Sequence, residues 1–141
     1  MPDGAGERPE AAERLRRRPL AAPQARRLAA RALDAAGAAP DDPAASLVVT
    51  ELVANAVRHG RGRRIWVRLR ADAELLRVEV ENRCWTTTPR RRLNELEGVS
   101  GRGLRLVDAL SRSWGVVPEP GGRTRVWAEV PLGDAQAPRP G

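Results

Sequence analysis

Apolar residues in this chain recur first at helical intervals, then at alternate positions, then helically and alternately once more. In PQARRLAARALDAAG, Leu28, Ala32, Leu33 and Ala36 fall at helical spacing in a helix predicted from Gln24, and Gly37 stands where a C-terminal cap belongs. Asp42 followed by Pro43 is an N-cap with proline at the first helical position, which predicts a second helix running to His59 and ended by Gly60. RRIWVRLRA alternates Ile65, Val67 and Leu69 with Trp66, Arg68 and Arg70. ELLRVEVEN alternates Leu76, Val78 and Val80 with Arg77, Glu79 and Glu81, so both segments are half-buried strands joined by a short polar turn. The same parity puts Asn82 on the face of Val78 and Val80, inside the layer that helices would cover. RCWTTTPRRRLNELEGVS is a polar connection with room for one helical turn near Leu93 to Leu96. GRGLRLVDALSRS reads as a helix opened at Gly103 with Leu104, Val107 and Leu110 inward, and SWGVVPEPGGRTRVWAEVPL as a hairpin turning at Pro120 to Gly122. This order predicts an α+β two-layer sandwich: a mainly antiparallel sheet of four or more strands with the helices from Gln24, Pro43 and Gly103 on one face.

The second helix contains an anomaly. Glu51, Asn55 and Arg58 are four and three residues apart and share one stripe, while Val48, Val49, Leu52, Val53, Ala56 and Val57 cover the rest. Spacing alone leaves open whether that stripe is solvated or chemical. Glu51 could deprotonate a hydroxyl or a water, and Asn55 offers a neutral oxygen suited to magnesium. The glycine-rich helix start at Gly101 to Gly103 could seat an anion, although such a start is more commonly a tight turn. His59 is the only histidine and ends its helix, where a cap or surface role is the simpler one; a histidine-based triad is excluded. Taken singly, Thr124 and the strand tryptophans read as structural.

Length and composition narrow the setting. At 141 residues the chain is long enough for one domain with a core. The formal charge is +7 and every basic side chain other than His59 is an arginine, so a phosphate-loop lysine and a lysine nucleophile are both excluded. Cys84 is the only cysteine, which rules out an intramolecular disulfide and a cysteine-built zinc site and fits a reducing cytoplasm. No run is apolar enough for a signal peptide or a membrane span, so a soluble cytoplasmic protein is expected. Residues 1–23 and 133–141, rich in Pro, Gly and charge, are expected to be a flexible arm and tail around a domain at 24–132.

In combination, four segments carry a resemblance that none carries alone. ELVANAVRHG, the strand end VEVEN, SGRGLRLVDALSRSWGV and GGRTRVWAEV resemble, in order, the nucleotide-site boxes of the gyrase, chaperone and histidine-kinase ATPase superfamily. Within it the chain most resembles the anti-sigma-factor serine kinases and their actinobacterial ATP-binding relatives. The resemblance covers Gln24 to Leu132 and implies the Bergerat-type ATPase fold, with ATP and magnesium as ligands. It implies Glu51 as the residue that activates the attacking group, Asn55 as the magnesium ligand and Arg58 as a phosphate contact. Gly101 and Gly103 would wrap the phosphates, and Thr124 and Asn82 would hold the adenine. A homodimer is implied as well, as is a protein partner: a sigma factor, or an antagonist-type protein bearing an acceptor serine.

The second box departs from the pattern. Relatives place an aspartate at the strand end, followed by glycines, where this chain has Asn82, Arg83, Cys84, Trp85 and Thr86. A hydrogen bond to a charged group contributes ~1.5–3 kcal/mol and a neutral one ~0.5–1.5, so the exchange implies roughly tenfold weaker binding. Three functions therefore stay open: an ATP-dependent serine kinase that sequesters a partner, a non-catalytic partner-binding module with a degenerate nucleotide site, and a basic nucleic-acid binder. The last rests on charge alone and ranks lowest. Trp66 and Trp127 fall opposite the core positions of their strands, which predicts an aromatic surface in need of cover.

Overall fold

The computed structural model describes residues 10–83 and 104–133. The chain runs β1 (Glu10–Arg16), α1 (Ala21–Ala35), α2 (Pro43–His59), β2 (Arg61–Ala71) and β3 (Leu75–Arg83). After a helical stretch at residues 104–110, here α3, come β4 (Ser113–Glu119) and β5 (Arg123–Pro131). The strands form one sheet in the order β1-β2-β3-β5-β4, with every neighbouring pair antiparallel. On one face α1 packs against β1 and β2, and α2 lies over β3 and β5. This is the predicted α+β sandwich.

Both long helices end for reasons written in their sequences. Gly37 has φ of 79°, and the N–H groups of Gly37 and Ala38 return to the carbonyls of Asp34 and Leu33, a double closure that satisfies the last turn of α1. Asp42 caps α2 by accepting from Ala45 N at 3.0 Å, and its second oxygen accepts from Gly133 N at 3.1 Å. That buried carboxylate thus starts α2 and also anchors the chain just beyond β5. The core lies between the layers, with Leu33, Val48, Val49, Leu52 and Val53 from the helices meeting Ile65, Val67, Leu69, Leu76, Val78 and Val80 from the strands. Buried and part-exposed positions alternate along β2 and β3 as their sequences predict.

The assignment of residues 10–23 to a flexible arm is corrected. Residues 10–16 form β1, paired with β2 from Glu10↔Arg70 to Arg16↔Arg64. Backbone pairing sustains this edge strand, since only Leu15 is fully buried on it, and so the segment shows no apolar alternation. Helix α1 begins at Ala21 rather than Gln24 because Pro23 sits in the first turn, where a missing N–H breaks no helical bond. The expected helical turn near Leu93 to Leu96, Cys84 and the chain ends at 1–9 and 134–141 lie outside the described residues.

The open face of the sheet differs from the expected aromatic surface. The guanidinium of Arg14 lies 5.4 Å from the centre of the Trp66 ring, and that of Arg77 lies 4.6 Å from the Trp127 ring. Trp127 also lies over its register partner Gly115, where an added Cβ would come within 3.0 Å of the indole nitrogen. Arg77 bonds Glu79 at 2.8 Å and Glu129 at 3.0 Å, Arg112 bonds Glu129 at 2.9 Å, and Arg125 forms an ion pair with Glu119 at 2.9 Å without a hydrogen bond from its Nε. Burial by itself would raise Glu79, but the hydrogen bond and charge of Arg77, joined by Arg125, hold it below the ordinary carboxylate value. Hydrogen bonds from Arg112 and Arg77 depress Glu129 in the same way, against a smaller effect of burial. Much of the cover for the tryptophans is therefore supplied by arginines of the same chain.

Candidate functional site

The polar stripe of α2 is graded from buried to exposed. Glu51 is half-buried, Asn55 is only 5% exposed, and Arg58 in the last turn is exposed. Asn55 is one of three buried polar or charged side chains among the described residues, with Asp42 and Thr124. Its Nδ2 has no hydrogen-bond partner among the described residues. Leaving a buried donor unpaired costs about 1–3 kcal/mol, so a buried amide of this kind is normally satisfied by water or a ligand.

The strand side of the site is set by register. Asn82 and Thr124 are direct partners across β3 and β5, and both stand on the helix-covered face near the ends of those strands. Thr124 is buried at 4% exposure, and Asn82 is half-buried. Asn82 Nδ2 donates to the Ala56 carbonyl at 3.5 Å, so the end of β3 is tied to the last turn of α2, one residue past Asn55. With the nitrogen turned to the helix, Oδ1 is the atom left to accept from a ligand. Gly101 and Gly103, expected to wrap phosphates, lie outside the described residues.

Two residues that shape this region carry no motif. Gly60 follows α2 in an extended conformation any residue could adopt, with φ of −75°, yet a Cβ there would overlap both Asn82 Nδ2 and the Ala56 carbonyl. It is glycine for space, and a lone helix-ending glycine in the sequence does not distinguish that from conformational need. Arg17 donates to the Val57 carbonyl at 2.8 Å and to the Gly62 carbonyl at 2.8 Å. It thereby places a positive charge at the C-terminal end of α2 and binds the segment after β1 to the start of β2. Its position within Arg16–Arg17–Arg18 hides that role among like neighbours.

The residues present suit a nucleotide with its metal. The Asn55 amide offers a donor for a phosphate oxygen and an acceptor for a hard cation, and a nucleoside triphosphate with magnesium brings both. Asn55 Oδ1, with the phosphates, would hold such a magnesium ion. The family model of the histidine kinase-like ATPase domain matches residues 15–128. The chain belongs to that family. A search of the curated proteins finds no match. A histidine kinase-like ATPase domain is an ATP-binding unit, and the match begins at Leu15, inside β1, which makes that strand part of the ATPase domain. No helix among the described residues is long and apolar enough to cross a membrane.

Proposed function

We propose that this histidine kinase-like ATPase domain is an ATP-binding regulator of the anti-sigma-factor kinase type, holding a protein partner and transferring phosphate to a serine on it. The observation that carries this reading is the buried Asn55 amide with its unpartnered donor, in the layer shared by Asn82 and Thr124. Bound ATP with magnesium would supply the phosphoryl group and neutralise its charge.

The chain's own residues have separable tasks. Glu51, one turn before Asn55 and half-buried, accepts the proton of the attacking hydroxyl. Asn55 holds magnesium through Oδ1, and Arg58 stands at the exposed end of the stripe to meet phosphate. Asn82 Oδ1 accepts from the adenine amino group, with Thr124 beside it across the strand pair. Gly101 and Gly103, outside the described residues, are the phosphate contacts that the resemblance implies. The partner is a sigma factor or an antagonist-type protein, and the domain works as a cytoplasmic homodimer.

Phosphoryl transfer separates this reading from a purely binding one. With radiolabelled ATP and an acceptor protein, Glu51→Ala lowers transfer by roughly 10²–10⁴ and leaves partner binding intact. Unchanged transfer in that variant removes Glu51 from the role. A non-catalytic module is the second reading, favoured by the neutral amide at Asn82 that is partly engaged by α2. It predicts partner binding with no transfer by wild type.

A further inference from the structure

Charge on the open face of the sheet is segregated along the strands. Toward one end the arginines have carboxylates: Arg70 bonds Glu10 at 2.9 Å, and Arg77 and Arg112 converge on Glu129. Like charges stand opposite one another at both ends, with Arg70 against Arg77 at the first, but toward the other end most of them lack carboxylates. Arg16 pairs in register with Arg64, and Arg83 with Arg123, an arrangement that opposes sheet stability. Arg16, Arg64 and Arg83 are exposed and have no carboxylate within ion-pair distance among the described residues.

A groove of about 570 Å³ opens at this end, lined by Arg14, Arg64, Arg83, Arg123, Trp66 and Glu81 and, at its border with the candidate nucleotide site, by Asn82. Glu81 is its one acid and bonds Arg123 at 3.3 Å. We infer that this groove docks an acidic segment of a protein partner, a conclusion that rests on the partner-binding reading above and gives its partner a surface and a charge. The groove offers exposed guanidinium groups, which bind carboxylates and phosphates alike in bidentate pairs, so the choice of protein over nucleic acid rests on its aromatic ring. Its one aromatic ring, Trp66, already has the Arg14 guanidinium over it and is a poor platform for a stacked base. A cluster of like charges built into one end of an otherwise ion-paired face is relieved when the partner brings the missing carboxylates.

The test compares two variants with the same change in charge. Arg64→Glu with Arg83→Glu alters the groove, and Arg27→Glu with Arg31→Glu alters exposed positions on α1. The probes are a fluorescein-labelled peptide of alternating glutamate and serine, and oligothymidylate of matched charge, followed by anisotropy across a salt series. The expected result is that wild type prefers the peptide, that the groove variant loses roughly tenfold or more in affinity, and that the α1 variant keeps most of it. Circular dichroism and Mg-ATP titration on each variant keep folding and nucleotide binding as separate readouts. Equal losses in both variants would mean that only net charge matters and would overturn the inference. So would unchanged binding in the groove variant. A wild-type preference for oligothymidylate would overturn it in favour of a nucleic-acid surface, and the Mg-ATP titration shows separately whether the nucleotide site, which shares Asn82 with the groove, is altered.

Discussion

Asn82 Nδ2 and the Ala56 carbonyl, 3.5 Å apart, join the end of β3 to the last turn of α2. This contact makes Asn82 structural as well as a candidate adenine contact, because an amide can donate to the helix while its oxygen remains free to accept. An aspartate at the same position could only accept, and its charge would face a helix carbonyl at the negative end of α2.

Asn82→Asp therefore has two opposed effects. Folding stability falls by about 1 kcal/mol, from the lost hydrogen bond and the unfavourable helix end. ATP binding tightens by about 1 to 2 kcal/mol, roughly tenfold, through a charged acceptor for the adenine amino group. GTP, which presents a carbonyl there, gains nothing, so the ATP-minus-GTP difference from titration is the quantity to read beside thermal denaturation. A variant that loses stability and gains nothing for ATP would remove Asn82 from the adenine site.

Gly60→Ala tests the close approach itself. Alanine adopts this backbone conformation freely, so the expected loss of about 1–3 kcal/mol comes from overlap of its methyl group with Asn82 and the Ala56 carbonyl. Combining it with Asn82→Ala relieves part of that overlap. A double-mutant cycle in urea should show coupling between the two sites, and strict additivity would contradict the contact.

How much of this was legible in the sequence depends on which physics encodes each part. Burial wrote the alternation of β2 and β3, and local capping chemistry wrote the ends of α1 and α2 at Gly37 and Asp42. Strand β1 was illegible because an edge strand is held by backbone pairing, which leaves no side-chain period in EAAERLR. The face of Asn82 followed from parity, whereas its bond to Ala56 and the crowding at Gly60 arise from packing of an element 26 residues away in the chain. The sequence of the strands holding Trp66 and Trp127 does not show their cover, because Arg14, directly opposite Trp66, and Arg77, diagonal to Trp127, come beside the rings only through strand register.

Asp42→Ala should lower stability by at least the ~1 kcal/mol typical of a lost N-cap, since Asp42 also accepts from Gly133 N. Asp42→Asn, which keeps one acceptor oxygen, should recover the part due to the helix cap. Urea midpoints of the two variants distinguish a shared role from a cap alone.

Stability should fall in acid through the open-face network. In the folded protein Glu79 and Glu129 are both held below the ordinary carboxylate value, so their ion pairs contribute fully above the pH at which the unfolded carboxylates ionise. The contribution is lost as pH falls through the depressed folded values. Urea unfolding between neutral pH and pH of about 3 should show this decline, and Glu79→Gln with Glu129→Gln should flatten it. A double variant with the wild-type slope would assign acid sensitivity to other groups.

Calorimetric titration of Mg-ATP into wild type and Asn55→Ala asks whether the buried Asn55 amide, whose donor has no partner among the described residues, holds the nucleotide and its metal. Wild type should bind saturably and only with magnesium, and a folded Asn55→Ala variant should not bind. Equal binding by both proteins, or no binding by wild type at any magnesium concentration, would contradict that role for Asn55.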